Sequence, residues 1–400
     1  MPRNSSRIVF AAAALAAALP IAAAPPTSET ADLHPPTREY FAYVCAESED
    51  EVSLVSFGPQ GTAVVKTIEV GTFPAEIEGP HGINVSPSGR HWFVSMSHGQ
   101  PFGTIHKYRT GSDEWEGDVR VGMFPATLDV AATTGLLYVV NSDFYGEHLP
   151  STISVVETAT MTEVEQIDTG TMPHGARLSR DGHSFYSVNM MDDELVEVDA
   201  LRFEIRRRLK LSADGGGADP AHSHHGAAAH RMGHAMRGGA AHHAPGVEPA
   251  WVSEPTAQGK VYVTGLSSHR IYEVDLESWT VSRSFDTAAA GADGHGPYNL
   301  AVTPDGRRLV ATYKKGDAVG FWDLGTGREL TRIATTRRIP HGVAITADGR
   351  YAFVTVEGVG GEPGVVEVYD TVALQRVGEI EIGKQAGGIA VWEPRGKSRP

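Results

Sequence analysis

Imidazole is the chemical group this sequence carries in excess. Eighteen histidines stand in 400 residues, and seven fall within the run HSHHGAAAHRMGHAMRGGAAHH. These are His222, His224, His225, His230, His234, His242 and His243, with Met232, His234 and Met236 forming an M-x-H-x-M element. Neutral imidazole binds zinc, copper and nickel, and thioether sulfur selects cuprous ion. The surrounding stretch 212–248 holds 8 Gly and 10 Ala in 37 residues and has no periodic apolar face, so it reads as a flexible insertion. Such a segment wraps an ion without a preformed cage, although ordering the chain costs affinity. The plainer readings of the same tract are a loose metal buffer, or drift in an Ala/Gly-rich sequence.

Four further histidines sit at a repeated place. His81, His174 and His341 each follow a proline and precede a glycine, and His295 lies two residues before Pro297. Each is a candidate ligand, and each has a structural reading as a residue that satisfies backbone groups at the start of a strand. Asp192, Asp193 and Glu194 follow Met190 and Met191 and offer carboxylate or thioether ligands, or simply a solvated acidic loop. Lys314 and Lys315 balance local acid. Cys45, the single cysteine, excludes an intrachain disulfide and any CxxC site, and its apolar neighbours make it a buried thiol. No GxSxG, Walker loop or HExxH occurs, so no nucleotide cofactor or familiar hydrolase site is indicated.

What positions these groups is a repeat. PHGINVSPSGRHWFVSMS (80–97), PHGARLSRDGHSFYSVN (173–189), PYNLAVTPDGRRLVATY (297–313) and PHGVAITADGRYAFVTV (340–356) are copies of one unit. Weaker copies begin at Pro125 and Pro249, and a degenerate one at Ala386. Each runs from a short strand through an S/T-x-D-G-R turn into a Tyr-Val-Thr strand, then into alternating stretches such as ELVEVDA. Period-two alternation of β-branched and aromatic residues marks half-buried strands, and the Asp-Gly and Ser-Gly pairs supply the positive φ of tight hairpins. The spacings between starts are 45, 48, 76, 48, 43 and 46 residues. Five match a four-stranded propeller blade, and the long one marks the insertion. Residues 40–70 supply three strands and residues 386–392 a fourth, so the two ends share one blade and close the ring. The expectation is an all-β, seven-bladed β-propeller over 39–393, with Trp92, Tyr138, Tyr186, Tyr262 and Tyr351 as packing positions.

The PHG-x-A/V-x-S/T-x-D-G-R-x-x-Y-V pattern resembles the YVTN-type β-propeller repeat family, which includes surface-layer-like and periplasmic propellers. It is similar to the propellers of nitrous oxide reductase and cytochrome cd1 nitrite reductase. The resemblance covers about residues 39–393 and speaks for architecture, while the full histidine ligand set of nitrous oxide reductase does not map onto this sequence. The Gly-His and Trp-Asp pair of WD40 blades does not recur.

Propeller topology sorts the histidines. Connections into each inner strand share a face with those between the second and third strands. Fourteen of the eighteen histidines fall on that face, including His98, His148 and His269. His81, His174 and His341 occupy pseudo-symmetric positions that could converge on one ion, but their blades are not adjacent and a channel about 10 Å or more wide would hold them apart.

Residues 1–24 order two arginines, an apolar run of about 17 residues and small residues, the pattern of a secretory signal. Pro20 interrupts the run, so no stable membrane insertion after cleavage is expected. Residues 25–38 form a flexible lead-in and 394–400 a tail. The charge is −15, from 34 Lys and Arg against 49 Asp and Glu, and loss of Arg3 and Arg7 takes it to −17. Such a surface repels phosphate backbones, so nucleic acid is not an expected partner. The sequence therefore points to a periplasmic or secreted binding protein. Its histidine face would hold a transition metal, copper or zinc with copper preferred, or dock an envelope protein. A metal-dependent oxidoreductase and a metal-free scaffold are the alternatives.

Overall fold

The structure, a computed structural model, describes residues 35–147, 149–214, 246–288 and 295–394. The proposed signal, nearly all of the lead-in and tail, His148, and every candidate ligand between His222 and His243 lie outside the described residues.

The described residues form 28 strands, β1 to β28 in chain order, in seven four-stranded antiparallel sheets. The innermost strands are β4 (Pro80–Val85), β8 (Pro125–Val130), β12 (Pro173–Leu178), β16 (Pro249–Val252), β20 (Pro297–Val302), β24 (Pro340–Ile345) and β28 (Ala386–Trp392). Every one begins at the residue that the repeat marks. Each packs against the next, and β28 returns to β4, so the ring closes. The last sheet is composite: β28 pairs with β1 (Tyr40–Ala46), followed by β2 (Glu51–Gly58) and β3 (Gly61–Glu69), as the sequence implies. Trp392 faces Phe41 across this seam and is 1% exposed.

Two features of the repeat explain each other. Pairing of β24 with β25 (Tyr351–Val356) slips register between Pro340 and Val343. Gly342 N–H there donates to Thr355 Oγ1 at 2.7 Å, and the Thr355 hydroxyl donates to the Gly387 carbonyl of the next inner strand at 2.6 Å. Thr312 links Asn299 to His341 in the same way, and Thr264 links Trp251 to Tyr298. The Tyr-Val-Thr threonine is thus a rivet between blades that also satisfies a bulged N–H. The glycine permits the approach: a Cβ at Gly342 would stand 2.7 Å from Gly387 O, and one at Gly82 2.5 Å from Ala126 O.

The core fills the spaces between blades. Tyr138, Val140 and Ile153 of one sheet meet Phe185 and Val198 of the next, and the other interfaces repeat the arrangement. Trp92, Tyr138, Tyr186, Tyr262 and Tyr351 are all buried, as packing positions should be. The residue before each inner strand (Gly79, Phe124, Met172, Glu248, Gly296, Ile339, Gln385) adopts φ between 50° and 68°. At a non-glycine this costs about 1 kcal/mol, and for β-branched Ile339 it is a marked outlier.

Candidate functional site

The second residue of each inner strand stands near one mouth of the channel. In ring order these are His81, Ala126, His174, Ala250, Tyr298, His341 and Gly387. Ala126, Ala250 and Gly387 separate the large residues except Tyr298 and His341, which are neighbours, and leave the four rings free to meet across the axis. Four rings form a closed cycle, with centroid separations of 6.1 Å from His81 to His174 and 5.7 Å from His174 to Tyr298. The cycle continues with 4.8 Å from Tyr298 to His341 and 5.6 Å from His341 back to His81. All four residues are buried. A wide channel would have kept the histidines apart, but the close inner strands and the alternation with Ala and Gly bring them together.

Each imidazole is held differently. His81 Nδ1 donates to Glu47 Oε2 at 3.0 Å, and His98 Nε2 donates to Glu47 Oε1 at 2.8 Å. Burial alone would raise the Glu47 pKa, but the charge and hydrogen bonds of His81 and His98 outweigh it and hold the carboxyl well below its usual range. The bond to Glu47 raises the pKa of His98. His174 Nδ1 donates to the Ala250 carbonyl at 3.1 Å, and its Nε2 accepts from the Tyr298 hydroxyl at 3.3 Å. Burial, aided by the neighbouring His81 and Lys314, pushes His174 down to about 3. His341 is driven well below its ordinary value by burial, then by Lys314 and His81. Its Nδ1 is buried without a hydrogen-bond partner among the described residues.

Around the cycle, the Lys314 ammonium lies 4.3 Å from the centre of the Tyr298 ring and 3.2 Å from Glu357. Met172 and Met190 pack with Ala250 and Tyr298 in one buried cluster. Phe124 packs against His81 at a tilt, with the ring centres 5.0 Å apart. Beneath the rings is a cavity of about 30 Å³, whose lining includes Thr127, Trp251, Asn299 and His341. Each of these four contributes a buried polar atom without a partner among the described residues.

The donor chemistry suits a transition metal. Tying Nδ1–H of a histidine to a carboxylate or a carbonyl is how proteins fix imidazoles that ligate through Nε2, and His81 and His174 are tied in this manner. Neutral imidazoles and thioethers are ligands for copper. In the arrangement described, no three His, Cys, Asp or Glu side chains among the described residues are grouped so as to hold an ion. Coordination would therefore draw the rings inward and displace the Tyr298 hydroxyl from His174.

The other sequence candidates separate from this site. His295 packs on Tyr313, with its ring 5.9 Å away, and does not join the cycle. Cys45 is fully buried in the core beside the composite blade, and burial pushes its thiol well up. Asp192, Asp193 and Glu194 are used structurally, accepting from Thr171 N, Glu248 N and Asn189 Nδ2 respectively. Sequence reasoning missed Glu47 and Tyr298. Tyr298 carried a signal, since it replaces histidine in the P-H-G position of its own repeat. Glu47, in the turn after β1, has no counterpart in the repeat.

No protein-family model and no curated protein matches the chain. Solved structures do. A protein from Lactobacillus plantarum superposes with a TM-score of 0.69 at 11% identity, over 89% of this chain and all of that one. The periplasmic gluconolactonase PpgL of Pseudomonas aeruginosa gives 0.65 at 18% identity, over 89% and 99%. These likenesses establish the seven-bladed propeller fold. No helix among the described residues is long and apolar enough to cross a membrane.

Proposed function

We propose that this chain is an exported propeller of the YVTN type that binds a transition-metal ion, copper by preference, at its histidine mouth. The observation that carries the reading is the closed cycle of His81, His174, Tyr298 and His341, with two imidazoles fixed through Nδ1. Neutral His174 and His341 need shed no proton to bind. The thioethers of Met172 and Met190 beside Tyr298 favour copper over zinc. The His/Met-rich segment 212–248 captures ions and raises their concentration at the rim. Export rests on the charge, apolar and small-residue order of residues 1–24.

Calorimetric titration with Cu and Zn tests the proposal, comparing the protein, a deletion of 213–246, and a His81→Ala/His174→Ala double variant. The deletion should lose the weak, multiple uptake and keep one tight equivalent, and the double variant should lose that equivalent. Absence of a tight equivalent in the deletion would remove the mouth from the account.

One observation favours a second, hydrolytic reading: Glu47 orients His81 beside a cavity with unpartnered polar atoms, an arrangement able to activate water as a general base. The gluconolactonase among the structural neighbours makes a lactone the substrate to try. Turnover of gluconolactone in chelator, abolished by His81→Ala, would establish it. Its absence would leave metal binding as the sole function of the mouth.

A further inference from the structure

At the opposite mouth of the channel, the inner strands open into a basin of about 530 Å³ lined by residues of six of them and by Ser253 and Glu254, which follow the seventh, β16. This volume lies within the range of small-molecule sites. Its wall is divided. Four consecutive blades contribute Asn84, Asp129, Arg177, Arg180, Ser253 and Glu254, whereas the other three contribute chiefly apolar groups such as Val302, Ile345 and Val391.

The polar arc holds groups whose bonding capacity the fold does not use. Arg180 is exposed and forms no ion pair or hydrogen bond with any described residue. Arg177 gives one hydrogen bond, to the Ala176 carbonyl, and lies 5.1 Å from the centre of the Trp251 ring, with no ion-pair partner within 4 Å among the described residues. A guanidinium is a fork of five donors, so most of this capacity faces the basin.

Acceptors flank these arginines on the neighbouring blades. Asn84 donates to Asp129 Oδ1 at 3.2 Å, which leaves its own Oδ1 buried and without a partner among the described residues. Glu254 is exposed, and its carboxylate is not engaged by any described residue. Asp129 also accepts the N–H groups of Val130 and Leu178, and burial raises its pKa to about 6 in spite of Arg177 and those bonds. Free donors flanked on both sides by free acceptors ask for a ligand with an anionic group and hydroxyls, and the apolar arc asks for a carbon face.

We infer that this basin is a second binding site, separate from the histidine mouth, for a small hydroxycarboxylate: Arg177 and Arg180 take the carboxylate, and Asn84, Asp129 and Glu254 take the hydroxyls. Bidentate guanidinium–carboxylate pairing supplies the affinity, and the acceptors supply the discrimination against bare carboxylates.

Isothermal titration in metal-free buffer tests it, with quinate as the probe. Cyclohexanecarboxylate, which lacks the hydroxyls, inositol, which lacks the carboxylate, and inorganic phosphate are the controls. Quinate should bind at least tenfold more tightly than each control, and Arg180→Gln and Arg177→Gln should each weaken it at least tenfold. Because Arg180 is exposed and unpaired, its variant keeps the fold whatever Arg177→Gln does. His81→Ala should leave quinate binding unchanged, which separates this result from the fate of the metal proposal. No quinate binding, equal binding of a control, tighter binding of phosphate, or unchanged affinity in Arg180→Gln would overturn the assignment.

Discussion

His81 Nδ1 lies 3.0 Å from Glu47 Oε2, and so ties the start of the second blade to the turn between β1 and β2 of the composite closing blade. The second carboxylate oxygen of Glu47 holds His98 at 2.8 Å. One buried carboxylate therefore serves both as the orienting group of the mouth and as a clasp beside the ring closure.

Glu47→Gln should destabilise the protein by about 2 kcal/mol near pH 5.5, because a charge-assisted buried pair is replaced by a neutral one. The sign varies with pH in two directions. Glu47 has a depressed pKa, so its contribution is present above the unfolded value of about 4.5 and lost as pH falls below it. His98 has a raised pKa, so its contribution is full below about 6.5 and lost as pH rises through the folded value. Urea unfolding at pH 3.5, 5.5 and 9 should give the largest difference between variant and wild type at the middle value. A difference constant across the three would contradict the pairing.

His174 and His341 should remain neutral in the folded protein throughout the range in which exposed imidazoles protonate. Ring resonances of both should stay fixed from pH 8 to 5 in an NMR titration, while His98 titrates above 6.5. For His174 and His341 the folded value lies below the unfolded one, so the stability they confer is complete above about 6.5 and declines as pH falls. The slope is about 1.4 kcal/mol per pH unit for each imidazole. A midpoint near 6.5 for either ring would refute their burial as neutral groups.

Tyr298→Phe should tighten metal binding several-fold. The Tyr298 hydroxyl donates to His174 Nε2, the atom an ion would need, and the variant removes that competitor while keeping the ring in the cycle. The associated loss of stability should be about 1 kcal/mol. Weaker binding in the variant would mean that Tyr298 is itself a ligand, or that the ion sits elsewhere.

The blades were legible because six of the seven inner strands start at a proline, at spacings of 43 to 48 residues apart from the one long gap, and because closure needs a fourth strand that only 386–392 can supply. That His81, His174 and His341 stand at the starts of inner strands, on one face, followed from topology. The contact among His81, His174 and His341 did not, because it depends on Ala126 and Gly387 standing between them and on how closely the Gly82 and Gly342 positions let the strands approach. Glu47 was hidden for a different reason. Its sequence context, a turn of acidic and serine residues, is that of a solvated loop, and only folding of the two chain ends into one blade buries it.

Trp392→Ala should cost about 3–5 kcal/mol, since it empties a space that Phe41 and Tyr43 line at the closing seam. Chemical denaturation measures it. A loss below 1 kcal/mol would mean that the pairing of β28 with β1 contributes little to holding the ring together.

The most direct test of the metal account is X-ray absorption on copper-loaded protein lacking residues 213–246, with metal content measured on the same sample. The account predicts one copper per chain, with imidazole nitrogens about 2.0 Å away, and their loss in His81→Ala/His174→Ala. A folded deletion variant that takes up no copper, or copper with the same imidazole signature in the double variant, would contradict it.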